Sequence, residues 1–178
     1  MYFCIRCICG KEEQARDSIS KFLSDKLEEE FLIWFPTKIN KDKKQGVYTE
    51  HSFPLFTGYL FAYWAGETEK DFPFYEVERI PQVIRFLRYE NGSRALLGQD
   101  FRYASWIHEN SGEIKPSKVF YKTGTRLKIV SGPLRGFDGQ VVKVDKHHSR
   151  ISLRFTVGNT TTDISFSVDF IEEGASNL

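Results

Sequence analysis

The hydrophobic pattern of this 178-residue sequence changes near residue 110, and the change limits the folds that the chain can adopt. Before that point, short apolar runs alternate with segments of helical periodicity. Beyond residue 122, β-branched and alternating segments follow one another at close spacing, which is typical of a small all-β barrel. Polar residues 110–122, with Gly112 and Pro116, predict a linker. We therefore expect one domain at 1–109 and a second at 123–178.

The first region predicts an α+β domain. Strand composition marks residues 2–9, 31–35, 59–64 and 83–89, and helical periodicity or composition marks residues 12–26, 74–80 and 97–107. Polar residues 38–45 predict an exposed hairpin arm. This order favours an antiparallel sheet with helices on one face.

The second region predicts a five-stranded β domain. Its candidate strands are residues 125–130, 138–145, 150–156, 161–166 and 168–171. Charge differs between the regions: 15 basic and 17 acidic residues in 1–109 give −2, and 10 and 7 in 110–178 give +3. Residues 123–155 hold seven basic and two acidic side chains. This local excess favours a polyanionic partner.

Several classes of function are not expected. Cys4, Cys7 and Cys9 crowd into one short apolar strand, which predicts reduced, buried thiols and no metal site. The sequence lacks a phosphate-binding loop and a nucleophile elbow, so we expect no enzyme and no cofactor. It also lacks an apolar run of membrane-spanning length and a basic leader, which predicts a cytoplasmic protein without membrane contact.

The second region resembles a KOW motif. Residues 127–155 read LKIVSGPLRGFDGQVVKVDKHHSRISLRF, with Gly132, Pro133, Gly136 and Gly139 at the positions that the motif expects. Glycine suits a tight turn between strongly curved strands, because it tolerates positive φ and close backbone approach. Ribosomal proteins carry the same motif, so a ribosome- or RNA-binding protein is one alternative function.

The first region resembles the amino-terminal domain of the NusG family of transcription factors. The resemblance lies in FPTKI (35–39), FPLFTGYLF (53–61) and IPQVIRFL (80–87). Together with the KOW motif, it covers nearly the whole chain in the family's order. It implies an α+β NusG-type domain linked to a small all-β KOW barrel, in a monomer that binds RNA polymerase and regulates elongation.

One segment departs from the general NusG pattern. Thr57 stands where general NusG proteins carry proline before the glycine, and Pro54-Leu55-Phe56 is more similar to the specialised RfaH and LoaP paralogues. This favours an operon-specific antitermination factor. The alternative is a general factor that couples polymerase to a ribosomal protein or to Rho through the barrel tip at Leu134 and Phe137.

The resemblance implies a polymerase-binding surface at Leu55, Phe56, Tyr59 and Phe86. In the family this surface docks on the clamp helices of the β′ subunit, and residues 66–70 match in position a loop that contacts the β subunit. The alternative interpretation is that all four side chains fill the core.

The resemblance also implies contacts with an RNA hairpin, with non-template DNA, or with both. Lys21 lies where RfaH carries a basic DNA-contacting residue, although a solvated helix face is the favoured explanation for it. In the barrel, the candidates for phosphate contact are Arg135, Lys143, Lys146, His147, His148 and Arg150.

Overall fold

The computed structural model describes residues 1–44, 47–121, 127–137, 140–157 and 160–171. The chain divides into two compact units. The first comprises Met1–Pro36 and Pro54–Gly112, and the second comprises Thr37–Phe53 and the described residues from Glu113 onward.

The strands are β1 (Tyr2–Cys7), β2 (Phe31–Trp34), β3 (Thr37–Lys44), β4 (Val47–Pro54), β5 (Tyr59–Trp64), β6 (Val83–Phe86), β7 (Glu113–Ile114), β8 (Ser117–Phe120), β9 (Lys128–Ser131), β10 (Gln140–Asp145), β11 (Arg150–Val157) and β12 (Thr160–Ile171). The helices are α1 (Glu12–Ser24), α2 (Phe74–Glu78) and α3 (Gly98–Glu109), with a 3-10 turn at Glu69–Asp71.

The first unit is built on an antiparallel sheet in the order β2-β5-β1-β6. Alternate residues of β1, namely Phe3, Ile5 and Cys7, point to one face, where they pack against α1. Helix α1 contributes its apolar stripe to this core because Ala15 and Ile19 lie four residues apart on one side of the helix. The predicted α1, β5 and sheet are confirmed.

Helix α3 lies on the other face of the sheet, so the expectation of helices on one face was wrong. Tyr2 belongs to the opposite set of β1 side chains, and its hydroxyl is 2.8 Å from Nδ1 of His108 in α3. Its ring also meets Phe101 of α3 edge-on at 5.3 Å. Helix α3 thus covers the end of this face at which β1 begins.

The second unit contains a five-stranded sheet in the order β10-β11-β12-β8-β9. Two predicted strands, 161–166 and 168–171, form the single long strand β12. Its first part pairs antiparallel with β11, and its last four residues pair parallel with β8. Strand β8 lies within the predicted linker. Ser117 and Val119 are buried and Lys118 is exposed, but this alternation is too short to be recognised as a strand from the sequence.

The predicted hairpin arm, β3 and β4, belongs to this second unit. Lys38 donates from Nζ to the carbonyl of Ser165 at 2.7 Å, and the backbone N–H of Lys41 donates to Ser167 Oγ at 3.0 Å. An ion pair between Asp42 and Arg150, at 2.8 Å, joins the hairpin to β11. Strand β3 is therefore packed along β12, and the expectation of an exposed arm was wrong.

The cysteines follow the prediction only in part. Cys4 and Cys7 are buried, but Cys9 follows the strand and is exposed. Burial raises the pKa of the Cys4 thiol, and burial followed by the nearby Glu12 charge raises that of Cys7 to about 11. Both buried thiols are therefore protonated at neutral pH.

Within the described residues, no helix is both long and apolar enough to cross a membrane. No group of three or more His, Cys, Asp or Glu side chains in the same residues is arranged to hold a metal ion.

Candidate interaction surfaces

Part of the sheet in the first unit is left uncovered by α3. Arg6 belongs to the same β1 face as Tyr2, but it lies at the far end of the strand and is exposed. Tyr59 of β5 is directly opposite Arg6, so its side chain lies on the same face, where it is half-buried. The predicted docking residue Tyr59 is therefore on an accessible surface.

Leu55 and Phe56 lie in the turn that precedes β5 and are only 6% and 8% exposed. The N–H of Leu55 donates to the carbonyl of Pro36 at 2.8 Å, and the Phe56 ring contacts that of Phe61 at 5.8 Å. Both side chains are therefore largely buried, as the core alternative expects, and their docking on polymerase stays a prediction.

Gly58 fixes the path of this turn. Its φ of +80° lies in the left-handed region that favours glycine. Its N–H donates to Glu12 Oε1 at 2.8 Å, and its carbonyl accepts from the Cys7 N–H at 2.9 Å. Glu12 is buried, so its carboxylate positions the turn from within the domain. Sequence reasoning missed Glu12 because its partner lies 46 residues away.

Phe86 is a core residue, so its assignment to the docking surface was wrong. Its side chain is only 2% exposed, and its ring meets Phe74 at 4.8 Å and Phe72 at 5.8 Å. The reason is its register: Phe86 pairs with the inward-facing Ile5 of β1. The alternative interpretation of a core residue is the correct one here.

Two isoleucines that sequence reasoning missed extend the accessible surface. Ile8 and Ile84 are 46% and 50% exposed, although side chains of this type are usually buried. Arg6 pairs with Arg85 while Cys7 pairs with Val83, so the register shifts and Ile84 is the extra residue of the bulge. We use the name "open sheet face" for Arg6, Ile8, Tyr59, Ile84 and Arg85.

Lys21 lies on the helical side of the first unit. It is exposed in the last turn of α1, on the helix that packs against the opposite sheet face. The structure thus separates Lys21 from the open sheet face, and its contact with DNA stays a prediction.

The loop at residues 66–70 is held in place by hydrogen bonds. Thr68 Oγ1 accepts from the N–H of Lys70 at 3.2 Å, and the Glu69 carboxylate accepts from Ser93 Oγ at 2.8 Å and from the Arg94 N–H at 2.6 Å. Desolvation raises the pKa of Glu69, but these hydrogen bonds outweigh it and lower the pKa overall. Glu69 is therefore ionised at neutral pH.

In the second unit, the end of β10 and the turn that follows it carry four of the predicted nucleic-acid contacts. Lys143, Lys146, His147 and His148 are all exposed. Asp145 orders the turn, because its carboxylate accepts from the His148 N–H and lies 3.0 Å from His148 Nδ1. These two hydrogen bonds lower the pKa of Asp145.

Three further observations bear on these predicted contacts. Lys146 Nζ lies 5.0 Å from the centre of the Tyr121 ring. Arg150 is separate from the exposed group, because its guanidinium is paired with Asp42. Arg135 is exposed in the turn that follows β9, which is a different loop.

The glycines of the KOW-like turn have the predicted role where they are described. Gly132 has φ +95°, and a Cβ there would lie 2.8 Å from Ser117 Cα. Gly136 also has positive φ, and Pro133 lies between them. Gly139 lies outside the described residues. Leu134 is buried and donates its N–H to Ser117 Oγ at 2.9 Å, so it is not the expected exposed tip.

Comparisons with known proteins agree on one family. Residues 1–100 match the family described as "NusG: Transcription termination factor nusG". The transcription termination/antitermination protein NusG of Helicobacter pylori J99 is 23% identical over 181 residues, which cover 97% of each chain. The protein of the same name from Thermus thermophilus is 25% identical over 181 residues, covering 93% of this chain and 95% of that relative.

The comparison of folds gives a match over both units. A solved structure of Thermotoga maritima NusG aligns with a TM-score of 0.55 at 20% identity, covering 93% of this chain and 92% of that one. The α+β first unit followed by a β domain is therefore the architecture that the sequence predicted.

Proposed function

The chain belongs to the NusG family of transcription termination and antitermination factors, and we propose that it binds RNA polymerase in the cytoplasm and promotes processive elongation at particular operons. The observation that carries this proposal is the open sheet face, where half-buried Tyr59 belongs to the same surface as exposed Ile8 and Ile84. An aromatic side chain beside exposed apolar ones suits docking of the β′ clamp helices, because a few aromatic anchors supply most of the affinity of such contacts.

The mechanism needs no catalytic residue and no cofactor. A monomer that binds better to the closed polymerase clamp than to the open one shifts the enzyme toward the closed state. The closed clamp holds nucleic acid and pauses less. The ordered loop at residues 66–70 supplies a second contact, with the β subunit.

The first test is multi-round transcription by the host polymerase through an intrinsic terminator. We expect Tyr59→Ala to raise the protein concentration for half-maximal read-through about thirtyfold, as loss of a tyrosine hot spot costs about 2 kcal/mol. Tyr75→Ala is the matched control, because Tyr75 is an exposed tyrosine on α2, away from the open sheet face. Equal read-through by Tyr59→Ala, Tyr75→Ala and the unchanged protein would contradict the proposal.

Operon specificity is tested in the same assay by changing the leader. Read-through confined to particular leaders supports the specialised role that Thr57 and its neighbours favour. Equal read-through on every leader supports the general role, in which the β domain couples polymerase to a ribosomal protein or to Rho. Association with ribosomes and none with polymerase would support the ribosome- or RNA-binding alternative.

We further propose that the β10–β11 turn binds RNA or single-stranded DNA through phosphate contacts. Lys143 near the end of β10 and Lys146 in the turn that follows are exposed cations three residues apart, and the ordered Asp145–His148 contact holds that turn. Binding of a single-stranded oligonucleotide is measured by fluorescence anisotropy at several salt concentrations. For the double variant Lys143→Gln/Lys146→Gln, the slope of log K against log salt concentration should become less steep by about 0.7 for each phosphate that is no longer neutralised. Lys115→Gln, a change of one exposed lysine outside the turn, serves as the control. An unchanged salt dependence in the double variant would exclude this turn as the binding site.

A further inference from the structure

Two arginines face each other across β1 and β6. Arg6 and Arg85 are paired in the strand register, and both side chains are exposed. Within the part of the chain that the structure describes, neither has a hydrogen bond or an ion pair. Like charges directly opposite one another destabilise a sheet. The sheet therefore carries an unfavourable pair of positive charges, with which no described carboxylate forms an ion pair.

Three other arginines of the first unit have partners. Arg16 pairs with Asp17 at 2.9 Å, Arg79 lies over the Tyr75 ring, and Arg94 lies over the Phe74 ring. Among the described residues, exposed Arg88 beyond β6 also has no partner, so the strand pairing of Arg6 with Arg85, and not the missing partner alone, distinguishes these two arginines.

The neighbours of the arginine pair indicate the class of its ligand. Tyr59, Arg6 and Arg85 form a row across three adjacent strands, β5, β1 and β6. Exposed Ile8 and Ile84 lie beside that row. Arginine and aromatic residues next to apolar ones are typical of protein–protein contacts, whereas nucleic-acid contacts are more polar. The row is therefore better suited to a protein surface than to phosphates.

We propose that Arg6 and Arg85 bind carboxylates on the polymerase surface that docks on the open sheet face. This inference rests on the proposed function and adds the chemistry of the partner: acidic side chains beside an apolar helical surface. Two guanidinium groups on neighbouring strands, with Cα atoms about 5 Å apart, can each donate paired hydrogen bonds to a carboxylate. Docking also neutralises the repulsion between them, so the partner completes an arrangement that is unfavourable in the free protein.

The test measures binding of the full-length chain to purified core RNA polymerase at several salt concentrations. We expect Arg6→Glu and Arg85→Glu each to raise Kd by about tenfold or more, because each places a carboxylate against the partner's carboxylates. Lys26→Glu makes the same charge change just beyond α1, on the other side of the domain, and should bind as the unchanged protein does.

The design separates lost binding from lost folding. Arg85→Glu places opposite charges across β1 and β6, so this variant should fold at least as stably as the unchanged protein. Its weaker binding would therefore reflect the interface. Arg6→Lys keeps the charge but loses the paired donors, and its Kd should fall between those of the unchanged protein and Arg6→Glu.

Three outcomes would overturn the inference, and they are distinguishable. If the glutamate variants bind polymerase normally while Tyr59→Ala does not, the arginine pair has no role and the proposed function stands. If they bind polymerase normally but lose affinity for a single-stranded DNA oligonucleotide, the pair contacts phosphates instead. If the unchanged protein does not bind polymerase, both proposals fail.

Discussion

We expect Gly66→Ala to lower the free energy of unfolding of the first unit by about 2–3 kcal/mol. A Cβ at this position would lie 2.0 Å from Cζ2 of Trp64 and 2.3 Å from Cε2 and Cη2. The indole has no room to move away, because Trp64 is 1% exposed and packs against Phe72 at 5.3 Å. The added methyl group must therefore displace the ring or the loop that begins at Gly66.

Native-state amide hydrogen exchange on the full-length chain checks this expectation. Amides of β5 should exchange faster in Gly66→Ala, whereas amides of β11 in the second unit should be unchanged. A double-mutant cycle with Trp64→Phe tests the cause, since the smaller ring removes the clashing atoms and should reduce the cost of the alanine. If Gly66→Ala lowers the free energy of unfolding equally in the unchanged protein and in Trp64→Phe, the indole ring does not exclude the methyl group.

Much of the first unit could be predicted from local sequence pattern. Helix α1 follows from apolar residues three and four positions apart, and β5 from an uninterrupted apolar run. Both patterns depend on which residues are buried within one element. The glycine-containing turn that follows β9 was identified differently, by its resemblance to a KOW motif.

Contacts between distant parts of the chain could not be predicted in this way. Strand β8 pairs with β12 about 50 positions further along, and the face on which α3 packs depends on its contacts with Tyr2. The periodicity of a single segment carries no information about such long-range pairing. The inserted hairpin, β3 and β4, is the same case, because its partners in β12 lie more than 120 residues away.

The candidate docking surface shows where a motif is informative and where it is not. The segment FPLFTGYLF led to Tyr59, which the structure places on the open sheet face, although its docking stays a prediction. The same resemblance also led to Phe86, which is buried. A motif identifies a neighbourhood, but strand register decides which side chains reach the surface. Arg6 and Ile84 were missed for that reason. The bulge between β1 and β6 exposes Ile84, and the sequence pattern does not predict that bulge.

The burial of Phe86 gives the second prediction of large effect. Phe86→Ala should lower the free energy of unfolding of the first unit by about 3–5 kcal/mol, because it leaves a cavity among aromatic rings that cannot close around it. The ring meets Phe74 edge-on at 4.8 Å and Phe3 at 6.2 Å. Hydrogen exchange of β1 and β5 amides in the full-length chain measures the loss.

Ile84→Ala is the matched control, because Ile84 lies two residues earlier on the same strand and is half exposed. It should change the unfolding free energy by no more than about 0.5 kcal/mol, yet weaken binding to polymerase, since it belongs to the open sheet face. Phe86→Leu should lose less stability than Phe86→Ala and, while folded, bind polymerase with unchanged affinity. The reverse pattern, in which Phe86→Leu keeps its stability and loses polymerase binding, would show that Phe86 contacts polymerase. Strand β6 would then have to expose its buried side in the complex.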